Sequence, residues 1–356
     1  MKKSVLFLAL AAAAMTGCSQ SEVVERASDA QTGRIGFSTH VNKGTRAIDN
    51  NNFSQFTVFG SYTMPTSEQR ITIFNGQDVK KDADKWTYAA TDNDLRYWIE
   101  TATYNFAAYG IDDNTLPAGA NANYRDNRYL NFTGFLCNGA NQKDLVYAAP
   151  KAHTALAEGN PVVAMDFKHV LSRIQFVFKN SFPEGYKIKI DGFKVVNVRD
   201  KGNFYGSVFE ANGVNPWVNP NAGADEYTAP ERSVARPEIA MSFPTGDVAE
   251  SGASATTGTA YVIPFAYTEA NVHLEFHLAV TRVEGQEEVA IFDKTYNAQM
   301  MPEWVMGHQY RYTIDLTGSE VGLEPIEFSG TVGDWSDWED ENAGSIEAGN
   351  LPAVQE

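Results

Sequence analysis

The sequence predicts a mostly β protein made of antiparallel β-sandwiches. The 356-residue chain contains many short segments in which aromatic or β-branched residues alternate with polar ones, and this period of two is typical of strands with one buried face. Clusters of Asn, Asp, Gly and Pro separate the segments at short intervals, as hairpin connections require. Hydrophobic residues make up 43% of the chain and aromatic residues 12%, which excludes a disordered polypeptide.

The predicted strands follow one another along almost the whole chain. In the first half they are FTVFGSY (56–62), RITIF (70–74), KWTYAA (85–90), LRYWI (95–99) and YNFAAY (104–109). In the second half they are YKIKIDGFKVVNV (186–198), NFYGSVF (203–209), AYVIPFAY (260–267), NVHLEFHLAV (271–280), EVAIFDKTY (288–296) and YRYTIDL (310–316). Each is rich in residues with high β propensity, so each predicts a strand.

One central segment, VVAMDFKHVLSRIQFVF (162–178), carries both periods. Its apolar residues recur at helical spacing (Val163, Phe167, Val170, Leu171 and Ile174) and also alternate as in strands (Met165 with Phe167, and Ile174 with Phe176 and Phe178). Enrichment in Val, Ile and Phe favours strands. We therefore predict two strands joined by a bend near Ser172.

The N-terminus carries an export signal. Lys2 and Lys3 precede an apolar run from Val5 to Met15, which is the order of a secretory signal peptide and is shorter than the roughly 20 apolar residues that cross a bilayer. Thr16-Gly17-Cys18 resembles the bacterial lipobox, although that pattern prefers Leu where Met15 stands. The resemblance implies that Cys18 is lipidated after residues 1–17 are removed; an ordinary signal peptide with an incidental cysteine is the alternative.

Composition excludes several other classes of function. The second cysteine, Cys137, has no partner in the chain once Cys18 is lipidated, and a domain of this size needs no disulfide. Cys137 is therefore expected to be a small buried residue. The formal net charge of −17 argues against nucleic acid and anionic lipid as partners and suits an exported surface protein.

A search for catalytic or metal-binding residues finds one weak candidate, HLEFH. In a strand, His273, Glu275 and His277 share one face, and two imidazoles with a carboxylate are a known set of zinc ligands. The simpler interpretation is the solvated face of a half-buried sheet, and His169 is likewise expected to be a hydrogen-bonded structural residue. Tryptophan rings can stack on sugars, but five of the six lie in or beside strand patterns, where core packing explains them: Trp86, Trp98, Trp304, Trp335 and Trp338. No cofactor site and no enzyme are predicted.

A resemblance runs along most of the chain. RIGFSTHVNKGTRA (34–47), FTVFGSY, YWIETATYNFAAYG, DLVYAAP, VAMDFKHVLSRIQFVF and the ending EWVMGHQYRYTIDL…EFSGTVGDWSDW occur in this order. The ordered set resembles the fimbrillin family, the type V pilins of anaerobic Gram-negative bacteria. That resemblance implies two transthyretin-like β-sandwich domains in a lipoprotein precursor. It also implies that an arginine-specific extracellular protease frees the first strand and that another subunit fills the emptied groove.

Turn clusters at 157–161 and 180–185 are the two candidate boundaries near the middle of the chain. With the second of them, the chain divides into signal peptide 1–17, lipidated propeptide with the first strand 18–46, N-terminal sandwich 47–180, C-terminal sandwich 181–340 and polar tail 341–356. The predicted cut lies between Arg46 and Ala47, in a polar stretch of the exposed kind that proteases need; an ordinary surface arginine is the alternative. Upstream, Ile35 and Phe37 alternate with polar or small residues, which predicts a short strand at a sheet edge. Its removal would open that edge to β-augmentation.

Three functions follow from these observations. The first, which we favour, is a non-enzymatic fimbrial subunit that reaches the outer membrane as a lipoprotein. It then becomes part of an extracellular fimbria by strand exchange. There it supports adhesion to a receptor that the sequence does not identify. The second is an outer-membrane lipoprotein that binds glycans and keeps its lipid. The third is a metal-dependent hydrolase using His273, Glu275 and His277. The tail can donate a strand only weakly, because Ile346 and Ala348 alternate briefly before Gly349 and Pro352. A tip or minor subunit is therefore the alternative to a polymerising stalk subunit.

Overall fold

The protein is almost entirely β, in agreement with the prediction of antiparallel β-sandwich packing. The computed structural model describes residues 33–41, 48, 52–83, 85–88, 95–125, 129–157, 159–209, 215–218, 229–267, 272–317, 327–334 and 345–346. Its strands in the first half are β1 Phe37–Val41, β2 Gln55–Thr63, β3 Arg70–Asp82, β4 Lys85–Thr87, β5 Thr103–Ile111, β6 Asn121–Arg125, β7 Tyr129–Leu136, β8 Leu145–Thr154 and β9 Val163–His169.

The remaining strands are β10 Ser172–Asn180, β11 Tyr186–Val196, β12 Lys201–Tyr205, β13 Trp217–Val218, β14 Glu238–Ala240, β15 Val248–Glu250, β16 Ser254–Thr256, β17 Ala260–Val262, β18 Val272–Glu284, β19 Glu287–Met300, β20 His308–Leu316, β21 Glu327–Asp334 and β22 Ser345–Ile346. One α-helical turn, Gly206–Phe209, and 3₁₀ turns at Asp112–Asn114 and Gly139–Asn141 complete the regular structure of the described residues. No helix in this part of the chain is long and apolar enough to cross a membrane.

A seven-stranded sheet in the order β1-β9-β8-β5-β2-β3-β4 dominates the first half. All its pairings are antiparallel except β1 with β9, which is parallel. Apolar side chains from strands β1, β2, β3, β5, β8 and β9 form one buried cluster, with Trp86 of β4 packed against it. The two end strands, β1 and β4, are in contact, so the sheet curls around this cluster.

The opposite face of the same sheet packs on a four-stranded sheet, β13-β12-β7-β6. A third core lies between the sheet β14-β11-β18-β19, which also includes β15, and the sheet β16-β10-β20-β21-β22, which also includes β17. Strand β10 precedes the predicted boundary at 180 but pairs with β20, whereas β12 follows that boundary and pairs with β7. The sheet pairings therefore cross the predicted division, and the domain limits stay a prediction.

The predicted bend in the central segment is confirmed, because β9 ends at His169 and β10 begins at Ser172. Several other predicted strands end earlier than expected, among them KWTYAA, which ends at Thr87. LRYWI contributes only an isolated bridge from Tyr97 to Arg34, and the strand in AYVIPFAY ends at Val262. NFYGSVF leaves its strand at Tyr205 and turns into a helix.

Candidate functional site: the groove of the first strand

The first strand, β1, lies at an edge of the seven-stranded sheet, as Ile35 and Phe37 predicted. Phe37–Val41 run parallel to Val163–Phe167 of β9, and the Val163 N–H donates to the Gly36 carbonyl at 2.9 Å. A strand at the edge of a sheet keeps one row of backbone groups outside the ladder, so it can leave without breaking the rest of the sheet.

The residues just before β1 form hydrogen bonds with the segment that contains Arg96 and Trp98 instead of with β9. The Ile35 N–H donates to the Arg96 carbonyl at 2.8 Å, and the Trp98 N–H donates to the Gly33 carbonyl at 2.9 Å. The Tyr88 hydroxyl donates to the Ile35 carbonyl at 3.0 Å. The predicted strand LRYWI thus meets the start of the first strand, although it forms only a bridge.

The side chains of the first strand complete a core rather than cover a surface. Ile35 and Val41 are fully buried and Phe37 is 5% exposed, and all three belong to the cluster inside the curled sheet. The Phe37 ring meets four other aromatic rings edge-on, with centroids 5.5–5.9 Å apart: those of Phe56, Phe74, Tyr88 and Phe106. His40 points to solvent. We call the surface that contacts residues 33–41 the first-strand groove.

A second contact holds the chain beyond the predicted cut. Ile48 is 6% exposed, and its N–H donates to the Asp144 Oδ2 at 3.1 Å. Asp144 is fully buried, and its carboxylate lies 3.1 Å from the Nδ1 of His169 through Oδ1. His169 is therefore a buried, hydrogen-bonded structural histidine, as predicted.

Asp112 supports Asp144 through the backbone. The Asp144 N–H donates to the Asp112 Oδ2 at 2.8 Å, and the Asp112 N–H donates to the Asp144 carbonyl at 3.2 Å. Burial, with the nearby charge of Asp144 as a lesser cause, raises the pKa of Asp112 above its usual value. Ile48, Asp112 and Asp144 were not singled out from the sequence; the one available signal is a carboxylate directly before the apolar run LVYAA.

The predicted modification sites cannot be placed in this geometry. Cys18, Arg46 and Ala47 lie outside the described residues, and their roles stay predictions. Cys137 is described: it is 1% exposed, its thiol contacts the Tyr261 carbonyl at 3.2 Å, and burial raises the pKa of that thiol. The expectation of a small buried residue is confirmed.

The weak metal candidate is a polar strand face. His273, Glu275 and His277 do share one side of β18, with alternate residues buried, but each pairs with a side chain of a neighbouring segment. His273 meets Asn297 at 2.9 Å and His277 meets Asp293 at 2.6 Å. Glu275 pairs with Arg236 and Lys194; burial raises its pKa, but these hydrogen bonds outweigh burial and lower the pKa below its usual value.

No group of three His, Cys, Asp or Glu residues that could hold a metal ion occurs among the residues the structure describes. The arrangement of the HLEFH strand therefore favours the simpler interpretation given from the sequence, that of a solvated sheet face. What remains as a site is the first-strand groove, in which a short, removable strand completes an apolar core.

Comparison with known proteins agrees with this architecture. A fimbrial protein from Bacteroides vulgatus has 15% sequence identity and a TM-score of 0.58, over 85% of this chain and 99% of that one. Proteins from Bacteroides uniformis and Bacteroides ovatus, each described as a "putative cell adhesion protein", have 17% and 16% identity and TM-scores of 0.47. They cover 85% and 86% of this chain and 98% and 99% of theirs.

No curated protein matches the chain significantly. The family described as Fimbrillin-like, however, matches residues 45–335, which is most of the sequence. The chain therefore belongs to the fimbrillin-like family.

Proposed function

We propose that the protein is a non-enzymatic subunit of a surface fimbria that supports cell adhesion. In this proposal it reaches the outer membrane as a lipoprotein through Cys18, is cut after Arg46 by an arginine-specific extracellular protease, and joins other subunits by β-strand addition in an extracellular fimbria. The observation that carries the proposal is the first strand: it lies at a sheet edge, yet its side chains belong to the core.

Removing that strand creates a strong binding site for another one. The cut would leave the backbone groups of Val163–Phe167 without the partner that β1 supplies, and it would expose the apolar surface that Ile35, Phe37 and Val41 cover. Both losses are reversed when an extended segment with alternating apolar residues enters the groove. Backbone hydrogen bonds supply affinity, and the alternating pockets supply specificity.

The connection between the first strand and the body suits such a cut. Residues 42–47, which include Arg46, join β1 to Ile48, and no other described strand lies upstream of β1. One cleavage in this stretch therefore detaches the strand without opening any other connection in the sheet. Membership of the fimbrillin-like family and the similar fold of a fimbrial protein support the fimbrial part of the proposal.

The decisive experiment is the intact mass and N-terminal sequence of the protein extracted from the cell surface. We expect an N-terminus at Ala47 in the assembled form and a lipidated Cys18 in the precursor. Arg46→Ala should hold the protein as an uncut, lipidated monomer without fibres. Arg125→Ala, which removes an exposed arginine at the end of β6, is the matched control and should leave maturation unchanged. Retention of residues 18–46 in the assembled form would refute the proposal.

The donor strand is the remaining part of the proposal. The tail of this chain contributes Ser345–Ile346, which pair with Gly330 and Thr331 of β21, so at least this part of the tail adopts a strand. Deleting residues 341–356 should let processed monomers accumulate without fibres if the tail donates. Fibres of unchanged length would show that it does not.

A further inference from the structure

The predicted cut is flanked by two anchors that are built differently. Upstream, β1 is held by strand pairing along β9. Downstream, Ile48 is held by a hydrogen bond from its N–H to Asp144, 96 residues away. Phe53 adds a second hold, because its ring meets Phe167 with centroids 4.9 Å apart.

The downstream anchor is fixed by several elements at once. Asp144 immediately precedes β8, His169 ends β9, and Asp112 begins the turn after β5. The Asp144 Oδ1 lies 3.1 Å from the Nδ1 of His169, and the Asp144 N–H donates to the Asp112 Oδ2 at 2.8 Å. A carboxylate with this many fixed neighbours is a rigid acceptor, and a hydrogen bond to an ionised group is roughly twice as strong as a neutral one.

We infer that Asp144 is a positioning residue that holds the mature chain at Ile48 when the first strand leaves. Cleavage then separates two independently anchored segments, and only the upstream one departs. The inference rests on the proposed processing after Arg46 and adds a role for the buried Asp144–His169 pair.

The anchor matters because the mature end and the first strand belong to one core. Ile48 and Phe37 belong to the same buried cluster. A mature end that detaches at Ile48 would therefore compete with an incoming strand for the same apolar surface. By retaining Ile48, Asp144 keeps the emptied groove open for its partner.

The test compares amide hydrogen exchange in the full chain before and after cleavage by trypsin, with the new N-terminus verified by sequencing. In the cut wild-type protein the Ile48 amide should stay protected. Asp144→Ala should speed its exchange by about tenfold to a hundredfold, the range expected for one hydrogen bond to a charged group. Asp144→Asn keeps an acceptor without the charge and should fall between the two, and it carries the test if the alanine variant does not fold.

Asp113→Ala is the matched control, because this neighbouring carboxylate is exposed and pairs with Lys143 instead. It should leave Ile48 exchange unchanged. If Asp144 only stabilised the fold, its replacement would speed exchange throughout the sheet. The inference predicts instead that the amides of Ala108 and Ala148 keep wild-type rates in every variant.

Uptake of a synthetic peptide with the sequence of residues 33–41 provides the second readout. The cut Asp144→Ala protein should bind it more weakly than the cut wild-type protein, and Asp144→Asn should restore part of the affinity. No cut after Arg46 would overturn the proposed function and this inference together. A normal cut with equal Ile48 exchange in wild type and both Asp144 variants would overturn the inference alone.

Discussion

Phe37→Ala is the most direct test of whether the first strand is part of the core. The substitution removes one ring from β1 and leaves its backbone pairing with β9 in place. Phe37 is 5% exposed and lies within 5.5–5.9 Å of four other rings. The loss is therefore one of packing.

The magnitude follows from that environment. Replacing a buried phenylalanine by alanine costs about 3–5 kcal/mol, and each edge-to-face aromatic pair adds about 0.5–1.5 kcal/mol to simple burial. With four such pairs we expect a loss in the upper part of the range, about 4–5 kcal/mol. For a urea m-value of about 3 kcal/mol/M, the unfolding midpoint of the uncut protein falls by about 1.5 M.

The assay is urea unfolding of the uncut and cut forms, followed by tryptophan fluorescence. His40→Ala is the control on the same strand, because His40 is exposed and should change stability by less than about 0.5 kcal/mol. After cleavage and removal of the first strand, wild type and Phe37→Ala should unfold alike. A loss below about 1 kcal/mol in the uncut form, or a difference that persists after the strand is removed, would refute the assignment.

Three further predictions are tested by urea unfolding, the last of them together with a measurement of zinc content. Gly110→Ala should lower the free energy of unfolding by about 1–3 kcal/mol through overpacking, because an added Cβ would lie 2.4 Å from the Phe53 ring. Gly139→Ala should leave it unchanged, because a Cβ at this position would have no atom within 4 Å. Burial raises the pKa of Asp112 in the folded state above its value in the unfolded state. The ionised Asp112 carboxylate therefore lowers the free energy of unfolding at pH 7, and this loss disappears at a pH below the unfolded-state pKa. Asp112→Asn should accordingly stabilise the protein at pH 7 and not at pH 3. His273→Ala should change stability by less than about 0.5 kcal/mol and leave the zinc content unchanged, whereas loss of stoichiometric zinc would revive the metal site.

Local alternation predicted the individual strands well. The bend between β9 and β10, the two-faced HLEFH strand and the edge position of the first strand are all confirmed. The bend and the two-faced strand depend on side chains two residues apart in the same strand, and the sequence shows that relation directly. The edge position was expected from the resemblance to the fimbrillin family.

Pairing between distant strands left no comparable signal. The parallel pairs β1–β9 and β10–β20, and the sheet shared by β7 and β12, join segments far apart in the chain. Their partners are chosen by packing, which a period of two does not encode. Gly206 shows the same limit. NFYGSVF alternates like a strand, but the strand ends at Tyr205 and a helical turn begins at Gly206, where an added Cβ would lie 2.4 Å from the Leu130 carbonyl oxygen.

The bond between Ile48 and Asp144 was beyond sequence reasoning for a related reason. A single N–H and a single carboxylate 96 residues apart have no periodicity, and only the folded sheet brings them together. The resemblance predicted a removable first strand in a groove, whereas no sequence pattern predicted the hydrogen bond between Ile48 and Asp144.

The pairing of β9 gives the last prediction. Its C-terminal part is held on both sides, because Phe167, Lys168 and His169 pair with β8. Its N-terminal part, residues 163–166, pairs with β1 and with no other strand among the described residues. Half of β9 therefore depends on the first strand for its ladder partner.

Release of the first strand should accordingly loosen only part of β9. Alternate N–H groups of a strand face opposite neighbours, and the Val163 N–H donates to Gly36 before β1, so the Met165 N–H faces β1 as well. We expect the Met165 amide to exchange much faster in the cut protein after the first strand is removed, because an edge without a partner is open to water. The amide of Lys168, which faces β8, should keep the rate of the uncut protein. Adding the peptide of residues 33–41 should restore protection at Met165. Uniform loss of protection along β9 would mean that strand removal unfolds the sheet edge as a whole, and the emptied groove would then be no preformed site for an incoming strand.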